Sequence, residues 1–194
     1  MTSWKKENYA LRLQIDQIEQ STHARKVVLG GKRFTSFIDR SEDDLKDSSE
    51  IFLSDVLGLE RQNINLLHVA RLGPYNSDES DRRPVLIEVD DSYTKVQIFQ
   101  KVIKMKQNDL YVAEFLTKRR KQILDSLLTL KKANPTKISR VYSKHGTVYM
   151  QMANSHKPRK IMDQDDLDRC AKQVIASLRW STQRNVLRSV TVCI

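Results

Sequence analysis

Apolar positions along the chain follow two different periods. Between residues 4 and 22, Trp4, Leu11, Ile15 and Ile18 succeed one another at spacings that fit alternating steps of three and four, with Asn8 and Thr22 filling the remaining positions of the stripe. That spacing predicts a helix with a heptad-like seam. The stripe covers under three heptads, and so short a helix is marginal alone. Two outcomes follow and both stay open: it self-associates, with Asn8 fixing register and strand number, or it docks on its own domain.

The period then changes. "ARKVVLGGKRF" is β-rich and broken by Gly30 and Gly31, and "SEDDLKDSSEIFLSDVLGL" is an acidic loop leading into a helix. In that helix Asp47 or Ser48 is the expected cap and Gly58 the expected end. "INLLHVARLG" reads as a strand, "PYNSDESDRR" as a polar loop and "PVLIEVDD" as a second strand, with Val85, Ile87 and Val89 alternating. "SYTKVQIFQKVIKMK" has helical spacing after a Ser92 cap, and "DLYVAEFL" is extended again. The order β-α-β-β-α-β predicts the ferredoxin-like arrangement, which includes the RNA recognition motif. A helix over 117–134 follows, capped by Thr117 and stopped by Asn134-Pro135, then two strands around a His145-Gly146 turn and a last helix in "DQDDLDRCAKQVIASL". The expected class is therefore α+β: an N-terminal helix or coiled-coil stub (1–24), a ferredoxin-like domain (25–116), a small α-β-β-α domain (117–178) and a tail (179–194) of no clear periodicity.

Composition sharpens this. At 194 residues and 39% apolar the chain can bury a core as one domain or two small ones. The net charge of +10 is unevenly spread: residues 1–92 carry 13 Lys and Arg against 17 Asp and Glu, while 93–194 carry 21 against 7. The C-terminal half is the electrostatic attractor, for nucleic acid or an anionic surface. No apolar run approaches the roughly 20 residues that cross a bilayer, and "MTSWKKENYA" lacks a signal peptide's apolar stretch, so an intracellular protein without a membrane partner is expected. Cys170 and Cys193 have no metal-site spacing and are expected as idle thiols; a prenylation box would need cysteine at Thr191. Gly31-Lys32 lacks the rest of a phosphate loop, since Lys26 and Arg33 stand where glycine and Ser/Thr belong. His23, His68, His145 and His156 have no paired nucleophile, and the acidic clusters of 39–47 and 163–168 sit where helices start, as caps and dipole partners. No catalytic residue, metal or cofactor is expected.

The ordered set of segments resembles the first open-reading-frame protein of LINE-type non-LTR retrotransposons. The matching pieces are "LRLQIDQIEQ" leading into "ARKVVLGG", the acidic stretch before "LSDVLGL", "INLLHVARLG", the loop to "RRPVLIEV", "LYVAEFLTKRRKQIL" and "KISRVYSKHGTVYMQ", over about residues 10–152. The resemblance implies an RNA recognition motif with a C-terminal domain. It implies single-stranded RNA as partner, with single-stranded DNA as a second ligand, nucleic-acid chaperone activity and cytoplasmic ribonucleoprotein particles, with the nucleus as a further compartment. It also implies a trimeric coiled coil, here represented only by the stub 4–22. RNA recognition motifs stack bases on aromatics of their two central strands. "KVVLGG" and "RPVLIEVDD" contain none, so stacking there is not expected.

The expected nucleic-acid contacts follow from charge, aromatics and the resemblance. Lys118, Arg119, Arg120 and Lys121 open a helix at the end where its dipole disfavours cations, by about 0.3 to 1 kcal/mol each at a surface. Phosphates bound there would account for them, and the resemblance assigns this cluster to an RNA-lined cleft. Replacing Arg119 and Arg120 with Glu should then weaken RNA binding and leave folding unharmed. Arg71 matches an arginine that the family uses on RNA, and Arg82 and Arg83 precede the next strand, where a screened pairing with Asp78, Glu79 and Asp81 is the plainer reading. Lys137, Arg140, Tyr142 and Lys144, with Tyr149, interleave cations and aromatics as a single-strand platform does; the plainer reading makes both tyrosines core. Lys157, Arg159 and Lys160 extend the charge, with Pro158 indicating a loop. The self-association residues are Trp4, Asn8, Leu11, Ile15 and Ile18. The function these features point to is sequence-tolerant single-stranded RNA binding. The alternative is a protein-interaction module derived from such an element that no longer binds RNA.

Overall fold

A computed structural model of the chain describes residues 3–31, 42–74, 83–105 and 110–174, so the expectations for Arg82, Cys193, the acidic loop partners of 78–81 and the tail 179–194 lie outside the described residues. The fold is mixed α+β with two antiparallel sheets, and the chain divides into two units at Thr117/Lys118.

Helix α1 (Ser3–Thr22) belongs to the first unit. Its two long faces behave differently. Trp4, Leu11, Ile15 and Ile18 are each more than half exposed, whereas Asp16 and Gln20 are buried and Tyr9, Leu13 and His23 half-buried. At roughly 100° per residue the two stripes lie about 150° apart around the helix. The docked stripe is polar and held by specific bonds: Gln20 Nε2 donates to the Phe115 carbonyl at 3.0 Å, Gln20 Oε1 accepts from the Thr117 amide at 3.0 Å, and the Thr117 hydroxyl donates to Asp16 at 2.6 Å. The docking outcome is the one the fold realises, and through the polar face. The apolar heptad stripe stays outward.

The four-stranded sheet comprises β1 (Lys26–Gly30), β2 (Leu66–Arg71), β3 (Val85–Val89) and β4 (Tyr111–Glu114) in the order β2-β3-β1-β4, every neighbour antiparallel. Alternation sends Val27, Leu29, Val85, Ile87 and Val89 to one face, where they form a core with Leu45, Phe52 and Leu53 and with Ile98 and Val102 of α3 (Ser92–Met105). Helix α2 (Glu42–Ile51) already includes Asp43 and Asp44, so Asp47 and Ser48 lie inside it and not at its cap. It runs on into a π-helical turn, Phe52–Val56, which carries Phe52 and Leu53 into the core. Gly58 ends the turn at φ 65°, where its carbonyl accepts from Lys101 Nζ at 3.3 Å. The cap of α3 is Asp91 and not Ser92: its carboxylate accepts the Thr94 amide at 2.8 Å and the Thr94 hydroxyl at 2.7 Å, and these bonds hold its pKa below the ordinary value.

The second unit contains α4 (Lys118–Ala133), β5 (Ile138–Lys144), β6 (Thr147–Met152), β7 (Arg159–Ile161) and α5, helical over 164–174. The sheet order is β5-β6-β7. The expected α-β-β-α unit therefore has a third strand. Proline cannot donate to a ladder, but Pro158 stands just before an edge strand, where no donor is required of it. Asp163 caps α5 by accepting the Asp166 amide at 2.7 Å, while Asp166 accepts the Met162 amide at 3.0 Å, so these acidic residues serve the helix start as expected. Among the described residues no helix is long and apolar enough to cross a membrane.

Candidate nucleic-acid interface

The second sheet is organised by one tight turn. His145 and Gly146 join β5 to β6 with φ of 50° and 72°, and positive φ at both central residues matches the twist of a two-residue hairpin. The turn fixes a register in which Tyr142 faces Tyr149, Arg140 faces Gln151 and Lys144 faces Thr147; β7 then sets Lys160 opposite Tyr149.

Alternation does the rest. Ile138, Val148, Met150 and Ile161 are buried, as are Ile123 and Leu127 of α4, which packs on β5 and β6. The opposite face carries Arg140, Tyr142 and Lys144 on β5, Tyr149 and Gln151 on β6, and Lys160 on β7. The tyrosine rings lie stacked, centroids 5.5 Å apart and 19° between planes. They are half-buried, and the core of this unit is aliphatic, so the reading of both tyrosines as core does not hold. Arg140, Lys144 and Lys160 are exposed and have no ion-pair partner among the described residues. Two flat aromatics ringed by three unpaired cations can stack on bases and neutralise phosphates.

The four cations at the start of α4 are not equivalent. Lys118 and Lys121 are exposed, and Lys121 pairs with Asp125 one turn on. Arg119 is half-buried. Arg120 is buried at 8% exposure and donates from Nη1 to the Gly146 carbonyl at 2.8 Å, clamping the hairpin turn to the helix. The expectation that Arg120 tolerates Glu without harm to folding is thereby overturned: a carboxylate there would face a carbonyl oxygen away from water. Lys137 is half-buried in the turn before β5, where its carbonyl accepts from the Ala153 amide at 2.8 Å.

In the first unit, Arg71 and Arg83 come together at the end of the β2–β3 pair. Arg71 Nη1 donates to the Arg83 carbonyl at 2.8 Å and Arg83 Nη1 to the Gly73 carbonyl at 3.1 Å, with Arg71 opposite Val85 in register. These bonds brace the strand ends. The outer face of this sheet also holds an aromatic, Tyr111 of the extended segment "DLYVAEFL", outside the two strands that lack one. Tyr111 lies opposite Gly30, and its ring occupies the space a Cβ at Gly30 would need, so a side chain there would have to displace the ring.

Other titratable groups are placed for stability. Lys95 reaches Glu114 at 3.7 Å and donates to the Ala24 carbonyl at 2.8 Å; burial pulls its pKa down, opposed by Glu114. Burial pushes the Cys170 thiol up, which suits a core position and not a nucleophile. Among the described residues no group of three or more His, Cys, Asp or Glu could hold a metal ion. Sequence reasoning missed Lys160 as a platform residue because Pro158 indicated a loop, and it missed Gln151 because its position depends on cross-strand register. No protein-family model matches the chain, and no curated protein matches it.

Proposed function

We propose that the chain binds single-stranded nucleic acid, RNA foremost, through the outward face of the second sheet, and that it does so without catalysis. The observation that carries this reading is the Tyr142–Tyr149 stack with Arg140, Lys144 and Lys160 unpaired on the same face. Stacking tolerates any base and cations tolerate any phosphate, so such a surface binds strands with little regard to sequence. The first unit, with strand order β2-β3-β1-β4 and a helix in each crossover, supports assignment to the ferredoxin-like, RNA-recognition-motif arrangement. Together with the resemblance of the segment order, this favours a LINE-type first-frame protein: a nucleic-acid chaperone and ribonucleoprotein component that self-associates through the outward stripe of α1. The rival, an interaction module without RNA binding, draws on the lack of aromatics in β1 and β3.

Titrating the full chain with single-stranded RNA at several salt concentrations separates the two. Log affinity should fall with log salt by about 0.7 for each phosphate neutralised, and Tyr142→Ala should weaken binding about 5- to 150-fold where Tyr142→Phe does not. Absence of binding at low salt, or binding indifferent to salt, would overturn the reading.

A further inference from the structure

Beside β5, the edge strand of the second sheet, a pocket of about 330 Å³ opens between Lys131 of α4, Arg140, Val141 and Tyr142 of β5, and Gln151 of β6. Ligand pockets range from roughly 300 to 1,000 Å³, so this one suits a single nucleotide-sized group. Lys131 and Arg140 bring two positive charges with no ion-pair partner among the described residues. Tyr142 is backed on one ring face by Tyr149, which leaves its other face for a ligand at the sheet edge.

Gln151 gives the pocket a direction. Its Nε2 donates to the Ser155 carbonyl at 3.0 Å. The Ser155 carbonyl needs a donor, so Nε2 faces it, Oε1 stands as the acceptor of the carboxamide, and one N–H of Nε2 stays unspent. Ser155 is itself held, its amide donating to the Met152 carbonyl at 3.1 Å and its hydroxyl to the Lys157 carbonyl at 3.2 Å. The pocket therefore presents an acceptor beside a stacking surface, with cations at its margin.

We propose that this pocket seats one nucleobase of the bound strand on Tyr142, with a phosphate between Lys131 and Arg140 and with Gln151 Oε1 accepting from an exocyclic amino group, so that cytosine or adenine is preferred to uracil. The inference rests on the nucleic-acid reading and adds to it a base preference at one seat of an otherwise sequence-tolerant surface. Cytosine and uracil have the same outline and stack alike. They differ along one edge: cytosine carries an amino donor at position 4 beside an acceptor at N3, and uracil a carbonyl at position 4 beside an N3–H donor. With position 4 held at Gln151 Oε1, uracil sets two acceptors against each other, and only a shift along its edge brings its N3–H to that oxygen.

The test uses the full chain and labelled oligocytidylate and oligouridylate of equal length, at slightly alkaline pH and one low salt concentration, read by fluorescence anisotropy. Oligocytidylate should bind tighter by roughly three- to ten-fold, the worth of one net hydrogen bond. Gln151→Met keeps the chain length, removes the acceptor and should bring the ratio close to one. Lys131→Ala should weaken both probes together and leave the ratio as it was. Because each ratio is taken on one protein, partial loss of stability in a variant moves both probes alike. Equal affinity of the parent for the two probes, or a ratio that survives Gln151→Met, overturns the seat while leaving nucleic-acid binding in place. No binding of either probe at low salt overturns both.

Discussion

Arg119 and Arg120 are neighbours in a run of four cations, yet the geometry assigns them opposite consequences. Arg120→Met removes a charged donor from a buried carbonyl: the Gly146 oxygen, 2.8 Å away, loses its guanidinium partner beneath the helix. Hydrogen bonds involving a charged group contribute about 1.5 to 3 kcal/mol. Methionine keeps part of the apolar stem, so the net loss should fall near 2 kcal/mol, and in a unit of this size each kcal/mol moves Tm by about 4 to 8 °C. The second unit should therefore melt of the order of 10 °C lower. Arg119→Glu, at a half-buried site in the first turn, exchanges an unfavourable dipole interaction for a favourable one and should leave Tm unchanged or slightly raised. Its RNA affinity should fall, with a shallower dependence on salt. The assay is a thermal melt of the full chain and each single variant, paired with an RNA titration. Equal melting of Arg120→Met and the parent would refute the clamp. A destabilised Arg119→Glu with unaltered affinity would refute the division of roles.

Three further outcomes are expected. Burial first, and Lys26 second, hold the His23 imidazole below its ordinary value of 6.5, so the unfolded chain takes up a proton there before the folded one does. Stability should be fully present above that value and decline as pH falls below it, a decline absent in His23→Phe; identical pH profiles of the two melts would count against it. Leu127, wholly buried in α4, should cost about 2 to 5 kcal/mol on replacement by Ala, read as a lower denaturant midpoint with unchanged slope, and a loss below about 1 kcal/mol would mean that the α4 packing is wrongly understood. Leu11→Glu with Ile15→Glu, both on the outward stripe, should abolish self-association in light scattering without lowering the melting temperature, since the docked stripe is the other face of α1; a parent already monomeric at high concentration would remove the seam from the account.

Local pattern determined a good deal. The alternation of Val85, Ile87 and Val89, the helical spacing of α3, the hairpin at His145-Gly146 and the heptad stripe of α1 were all legible, because each depends on neighbours within one or two turns or on a residue pair suited to positive φ. Tertiary structure decided which faces and which polar groups those elements use. Asp16 and Gln20 are buried only because Thr117 and Phe115, close to a hundred positions away, supply their partners, and nothing in the local pattern marks the polar side of α1 as the docked one. Lys118, Arg119, Arg120 and Lys121 look alike in sequence, and only the Gly146 carbonyl of a later turn makes Arg120 a clamp. Likewise Lys160 joins the tyrosine face through a short edge strand, and Gln151 acquires its direction from the Ser155 carbonyl. The common cause is that periodicity is a property of consecutive residues, whereas burial and hydrogen-bond partnership depend on which distant segment arrives beside them.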